Sequence, residues 1–375
     1  MGLILRGIGT AVPERRLSQE QALALAPQMV AATARQQRLL RRIYLRSGVD
    51  GRHCVPLLNA PNPSTAERMR HYRSEAVPLA LQACRRALED AAMEPEAITH
   101  LVTVSCTGFS APGVDLALIA AVPLRPDVAR THVGFMGCHG ALNGLRVARA
   151  FVEADPRACV LLCAVELCSL HLQEGWHPDH IVANALFADG AAAVVVAAQA
   201  EPGSEPEPGR PCLRLRACGS TVIPASSDAM AWIIENHGFS MALSARVPGL
   251  IAARLRPWLE GWLAAHGLSV AAIRHWAVHP GGPRILGAVL ESVGLDPGRL
   301  DGSREVLRRY GNMSSATVLF ILQRLLATPP AAGHAGEEPA SGLLGAPRAG
   351  AASGPCLALG FGPGLTVEAV LFELP

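Results

Sequence analysis

The chain has no lysine: all 33 of its basic residues are arginine. Any side-chain contact to a phosphate must therefore use a guanidinium fork instead of an ammonium. Charge of either sign is scarce, at 17% of residues, and the formal net charge is only +2. That balance leaves no basic excess for a nucleic-acid or membrane-surface binder. No apolar run reaches the ~18 residues of a membrane-spanning helix. The N-terminal MGLILRGIGTAVPERR lacks the basic start and long apolar core of a secretory signal. These absences predict a cytoplasmic protein with no integral membrane segment. No Cys-x-x-Cys pair occurs among the ten cysteines, which argues against a zinc site. The cysteines are expected to be reduced and mostly in the core, with Cys159, Cys163 and Cys168 inside CVLLCAVELC, a buried strand.

What is present is apolar bulk. Half of the 375 residues are hydrophobic, enough for two domains or one large double-layered domain. Two stretches have little core-forming power: EPGSEPEPGR at 201–210 reads as a connector, and residues 328–354 as a low-complexity insertion. The connector divides the chain into an N-terminal half, 1–205, and a C-terminal half, 206–375.

The two halves resemble each other. LEDAAMEPEAITHLVTVSC reads as a helix end, a turn and a buried strand finishing at Cys106. LEGWLAAHGLSVAAIRHWAVHPGG repeats that order and finishes at His279. Cys138 follows Cys106 by 32 residues and opens a helical pattern; Asn312 follows His279 by 33 and opens another. Each half is expected to close with a strand hairpin, NALFADGAAAVVVAA in the first and GPCLALGFGPGLTVEAVLFE in the second. Near-continuous apolar strands require cover on both faces, so the fold class is α/β, in two halves related by a pseudo-twofold axis. That axis would bring Cys138, His279 and Asn312 toward one another.

Cys138 lies in VGFMGCHGAL, after a short strand and a glycine turn, at a helix start. The helix N-terminus favours a thiolate, and glycines 134, 137 and 140 leave room for a substrate carbonyl. A free thiol has a pKa of ~8.5, so a base or cation must assist. His139 is adjacent, but consecutive helical residues do not share a face, which makes a structural or solvent-facing role the better expectation. His279, at a strand end before Pro-Gly-Gly and so exposed at the sheet edge, is the better base; the plain alternative is a core histidine. Asn312 offers an amide donor to an oxyanion, or serves only as a helix cap. A Cys-His-Asn set suits acyl transfer and decarboxylation, since a carboxylate close by would oppose an enolate, and none is expected in these motifs.

Taken together, GFMGCHGAL, NALFADGAAA, AVHPGG, YGNMSSAT and GFGPGLTVE resemble the type III polyketide synthases, the chalcone synthase-like group of thiolase-fold condensing enzymes. The resemblance spans almost the whole chain. It implies duplicated αβαβα layers and a homodimer that uses an acyl-CoA starter and malonyl-CoA, with no cofactor and no metal. It makes Cys138 the acyl-loading nucleophile, with His279 and Asn312 holding the thioester carbonyl. It makes Phe187 the gate between the CoA tunnel and the cavity, with Phe239 as a second gate. CoA phosphates fall to Arg42 and Arg46, with Leu39 where another basic residue often sits. The cavity falls to Cys106, Cys168, His171, Ser314 and Gly364, and Ala111 takes the position that reaches into the partner's cavity.

Cys106, Cys168, His171 and Ala111 depart from the plant chalcone synthase pattern. Smaller residues widen a cavity, and the wording resembles bacterial synthases that make alkylresorcinols or alkylpyrones from fatty acyl-CoA. Aromatic starters or malonyl-only tetrahydroxynaphthalene chemistry are the alternatives. The rival families are a ketoacyl-ACP synthase III, a hydroxymethylglutaryl-CoA synthase, which uses a carboxylate base, and a catalytically dead thiolase-fold scaffold.

Overall fold

Apolar runs without alternation need cover on both faces, and the computed structural model supplies it. It describes residues 2–30, 32–56, 62–199, 212–327 and 353–374. The connector at 201–210, the expected boundary at 205/206 and residues 328–352 of the expected insertion lie outside the described residues. The strands are β1 (Leu3–Ala11), β2 (Arg16–Ser18), β3 (Gly51–His53), β4 (His100–Ser105), β5 (Ala129–Gly134), β6 (Cys159–Leu167) and β7 (Asp189–Ala198) in the first half. In the second they are β8 (Leu213–Val222), β9 (Met230–Glu235), β10 (Gly238–Leu243), β11 (His275–Val278), β12 (Gly354–Gly362) and β13 (Thr366–Leu374).

Nine of these form one sheet in the order β11-β12-β13-β8-β1-β7-β6-β4-β5. Its two halves mirror each other in pairing. β4 runs parallel to β6, β6 antiparallel to β7, and β7 antiparallel to β1. β11 runs parallel to β12, β12 antiparallel to β13, and β13 antiparallel to β8. The halves meet where Leu3, Ile4 and Leu5 of β1 pair with Leu215, Arg214 and Leu213 of β8.

The layers follow from the buried clusters. The helices Gly140–Ala154 and Thr317–Ala327 occupy the centre, with Leu142, Leu145, Leu319 and Ile321 in one core with Leu162 of β6 and Ala358 of β12. Helix Thr65–Ala91 covers the other face of the first half. Helices Val247–Ala264 and Pro283–Val293 cover the other face of the second. The result is the αβαβα sandwich of two related halves.

Helix Thr65–Ala91 starts on a capping box, in which Ser64 accepts from Glu67 N and Glu67 accepts from Ser64 N. Its inner stripe is alanine (Ala76, Ala80, Ala83 and Ala87, all fully buried), which lets the helix backbone approach β1 where Gly7 and Gly9 carry no side chain. β6 is buried at all nine positions, as CVLLCAVELC predicted. No disulfide links any cysteine, and among the described residues no helix is long and apolar enough to cross a membrane.

The first half does not close with a hairpin inside 184–198. NAL ends a helix, Pro178–Leu186, and the residues after it form one strand, β7, inserted between β6 and β1. The run from Asp189 to Ala198 is one unbroken strand of ten residues, with no turn to fold it back.

A Cβ at Gly9 would lie 2.2 Å from the Ala83 carbonyl oxygen, whereas one at Gly261 meets nothing within 4 Å. Gly9→Ala is expected to cost about 1–3 kcal/mol by overpacking, and Gly261→Ala to gain about 0.5–1 kcal/mol in its helix, read from urea midpoints. A neutral Gly9→Ala would refute the close approach.

Candidate active site

Cys138 sits in a short 3-10 turn, Gly137–His139, that runs directly into helix Gly140–Ala154. The turn requires Gly137: its φ is +77°, and a Cβ there would lie 2.2 Å from Pro363 Cδ. Two non-glycine residues beside the thiol, Phe135 (φ 57°) and Ser314 (φ 47°), also adopt left-handed backbone. Such strain clusters where a site is held in a demanding shape.

The thiol is 9% exposed. Ser314 Oγ donates toward its sulfur at 3.7 Å. Burial pushes the Cys138 pKa up to about 12; the hydrogen bonds from Ser314 and Asn312 pull it back, and the charge of Glu166 raises it. Asn312 is thus near enough to the sulfur to favour the thiolate. It is not a helix cap: it pairs as a lone bridge with Phe187, and the helix begins only at Thr317. Its Oδ1 accepts Ser314 N at 2.9 Å, which leaves the amide NH₂ for the sulfur.

His279 follows β11 and donates its backbone N–H to Leu359 O at 2.8 Å. It is 1% exposed, so the expected exposure at the sheet edge is wrong: the strand is an edge, but the ring points inward. Among the described residues neither ring nitrogen has a partner. Burial, with the nearby His139, pulls its pKa down to about 3. The neighbouring strand β12 carries Gly360 and Gly362, which pack on His139, one residue from Cys138. A buried imidazole with two bare nitrogens has its donor free for a ligand.

His139 is committed elsewhere and is not solvent-facing. Its Nδ1 pairs with Asn143 Oδ1 at 2.7 Å and its Nε2 with Thr366 Oγ1 at 2.6 Å. It pins the central helix of the first half to the β12–β13 turn of the second.

Two neighbouring cavities lie here, and the thiol lines the inner one. The inner, of about 340 Å³, is lined by Cys106, Cys138, Cys168, Phe187, Trp232 and Ser314, among others. The outer, of about 290 Å³, includes Cys168, His171, Phe187, Trp232 and Phe239. Cys168, Phe187, Trp232 and Met241 face both. The cavity residues read from the sequence therefore divide. Cys106 and Ser314 are inner, Phe239 and His171 are outer, and Phe187 and Cys168 serve both. Gly364 lines neither; its N–H holds Met230 O at 2.9 Å in a turn with φ +71°.

His171 does not widen the space near Cys138. Its Nε2 donates to Thr107 O at 2.6 Å, its Nδ1 accepts Phe239 N at 3.0 Å, and its ring stacks on Phe239 at 4.1 Å. Burial pulls its pKa down to about 3, so the ring is neutral. Arg42, Arg46 and Leu39 are exposed on helix Ala34–Leu45 and its C-terminal cap, and Ala111 is exposed on a loop beside Phe109.

Two functional-looking residues escaped the sequence reading. Trp232 lies on a short ribbon with no distinctive motif, donates its indole N–H to Cys106 O at 2.7 Å, and stands edge-on to His171 and Phe239. Glu166 overturns the expectation of no carboxylate near the site. It is fully buried and accepts Cys106 N at 3.0 Å, Thr107 Oγ1 at 2.7 Å and Ser315 Oγ. Burial raises its pKa to about 7 against the pull of those donors. Its oxygens are thus engaged by structural donors, as an architectural acceptor and not a free base. The signal for it, an acid inside an otherwise apolar strand, stood in CVLLCAVELC. Among the described residues no cluster of three or more His, Cys, Asp or Glu side chains is placed to hold a metal.

Residues 3–200 match the family described as chalcone and stilbene synthases, N-terminal domain, and residues 214–374 match its C-terminal domain. The chain belongs to the chalcone and stilbene synthase family. It is a type III polyketide synthase and so an acyltransferase-type enzyme. The alpha-pyrone synthesis polyketide synthase-like Pks18 of Mycobacterium tuberculosis is 31% identical over 379 residues, covering 99% of this chain and 91% of that protein. The 1,3,6,8-tetrahydroxynaphthalene synthase of Streptomyces peucetius subsp. caesius is 33% identical over 324 residues, covering 86% and 85%. Among solved structures, PKS-I of the brown alga Ectocarpus siliculosus superposes with a TM-score of 0.88 at 29% identity, covering 100% and 98%. The tetrahydroxynaphthalene synthase of Streptomyces coelicolor A3(2) superposes with a TM-score of 0.85 at 30% identity, covering 99% of each chain.

Cys138→Ala is expected to abolish covalent acyl loading, read by intact-protein mass spectrometry. His139→Ala should cost about 1–3 kcal/mol, from the stranded partners Asn143 and Thr366, while still loading. A folded His139→Ala that cannot load would show that this ring takes part in the chemistry.

Proposed function

We propose that this polyketide synthase transfers an aliphatic acyl group from CoA to Cys138 and extends it with malonyl-CoA. The lengthened chain is then released as an alkylpyrone or related ring. The observation that carries the reading is a buried thiol, Cys138, in the wall of a cavity with Ser314 Oγ 3.7 Å from its sulfur, together with a buried imidazole, His279, with both nitrogens free.

The chemistry follows from those groups. Transfer of the thiol proton to His279 makes a thiolate and an imidazolium, each of which offsets a charge that burial alone disfavours. The thiolate attacks the starter thioester carbonyl, the C–S bond to CoA breaks, and CoA leaves as its thiol with the proton from the His279 imidazolium. The malonyl thioester then lies with its carbonyl oxygen against His279 and the Asn312 NH₂. Its C–CO₂ bond breaks, CO₂ departs, and the electron pair moves onto that oxygen as an enolate held by the two donors. The enolate carbon attacks the Cys138 thioester and frees the thiol for the next round. The donors Cys106, Thr107 and Ser315 occupy the oxygens of Glu166, so it is not available as a base.

Arg42 and Arg46 are assigned to the CoA phosphates. In support, Gly48, two residues beyond Arg46, packs on Pro283, which follows the His279-Pro-Gly-Gly turn. We also propose a homodimer through the β5 edge. β5 ends the sheet, and Phe109, Phe135 and Met136 beside it are 53%, 37% and 42% exposed, close to Ala111. An open edge with apolar neighbours calls for a partner.

The printed name of the mycobacterial relative mentions alpha-pyrone synthesis, which agrees with an aliphatic starter. One observation favours a second reading, a malonyl-only naphthalene-type product. Trp232 lines the inner cavity and stands edge-on to the His171–Phe239 stack of the outer one, which limits the room for a long acyl chain.

Incubation with malonyl-CoA and acyl-CoA starters of increasing length, with products read by mass spectrometry, separates the two. An alkylpyrone synthase needs the acyl starter, and product formation from malonyl-CoA alone refutes the first reading. Trp232→Ala, which joins the two cavities, is expected to raise the longest accepted starter by several carbons; an unchanged length profile would mean that Trp232 is not the dividing wall.

A further inference from the structure

The guanidinium of Arg52, on β3, is 4% exposed and faces the backbone beneath Phe187. Nη1 donates to Asn184 O at 2.6 Å and to Phe187 O at 3.1 Å; Nη2 donates to Ala185 O at 2.6 Å and to the Gln19 amide oxygen. Three carbonyls at the C-terminal end of helix Pro178–Leu186 thus share one planar fork, placed where a helix leaves its carbonyls unpaired. Gln19 orients the fork and adds its own Nε2 to Ala185 O at 3.0 Å. Asp189, two residues past Phe187, provides the opposing buried charge while its oxygens hold Ser169 and Val55.

From the opposite side, the same short segment is tied to Asn312. Ala188 N donates to Asn312 O, and Asn312 N to Leu186 O, both at 2.9 Å. Residues 184–188 are therefore clamped between Arg52 and Asn312, with the Phe187 ring projecting into both cavities.

We propose that Arg52 is a positioning residue for the condensation: it sets the backbone of Phe187, and through that seam the placement of Asn312 against the substrate carbonyl. It touches no substrate. The proposal rests on reading Phe187 as the gate and Asn312 as a carbonyl donor. A lysine at 52 keeps the charge for Asp189 but replaces the planar fork with a point charge that cannot span three carbonyls in the same geometry.

The test is the coupling ratio, polyketide formed per CO₂ released from malonyl-CoA, in the wild type, Arg52→Lys, Phe187→Ala and the double variant, with thermal unfolding recorded for each. Arg52→Lys is expected to fold and to lose coupling, by up to about 100-fold for a displacement of order 1 Å. The double variant should couple no worse than Phe187→Ala, because both changes act on one element. Wild-type coupling in Arg52→Lys overturns the proposal; so does a multiplicative loss in the double variant. Failure of Arg52→Lys to fold also overturns it, by making Arg52 a fold residue only. Wild-type coupling in Phe187→Ala alone overturns the gate reading and the proposal together, whereas the other three results count against Arg52 alone.

Discussion

The site depends on one short seam, where Leu186 O and Ala188 N of the first half exchange hydrogen bonds with the backbone of Asn312 in the second. It is the lone bridge between Phe187 and Asn312, yet it joins a cavity wall to the amide near the nucleophile. Each half builds its own sheet edge and its own central helix. Cys138 comes from the first half, and His279 and Asn312 from the second. A seam of two backbone hydrogen bonds is weak in isolation, so its geometry has to be held from outside. Arg52 grips the carbonyls of Asn184, Ala185 and Phe187 on one side of it.

Burial is the main electrostatic fact of the site. It pushes Cys138 up and His279 and His171 down, and raises Glu166 to about 7. What separates these groups is their hydrogen bonding. His171 has both nitrogens engaged and Glu166 has three donors, so they act as walls and braces. His279 has no partner for either nitrogen among the described residues, which is what a ligand-binding ring requires. Sequence neighbours therefore mislead: His139 sits next to the thiol and does structural work, while His279, far along the chain, keeps its ring free.

Much of the fold was legible in the pattern of residues. The order of helix, turn and buried strand repeated at matching spacing, and the pairing of β4, β6, β7 and β1 recurs in β11, β12, β13 and β8. The glycine turn before Cys138 was also legible, because only glycine fits φ +77° against Pro363. The supposed hairpin at 184–198 was misread because alanine and valine runs carry no period to separate one strand from two. Trp232 was missed because its role comes from crossing between two cavities built from distant segments.

Chain composition and local spacing by themselves determined the class of the fold, its duplication and the cysteine on a helix start, since these depend on apolar period, glycine geometry and short-range order. The family resemblance added which residues to watch. Only the tertiary structure decided which of them meet. It placed Asn312 in a bridge and not at a cap, turned His279 inward, set His171 in the wall, and brought Glu166 beside the thiol with its oxygens already engaged. Those outcomes depend on contacts between residues a hundred or more positions apart, and the hydrogen-bond partners available there are fixed by packing, which no local pattern encodes.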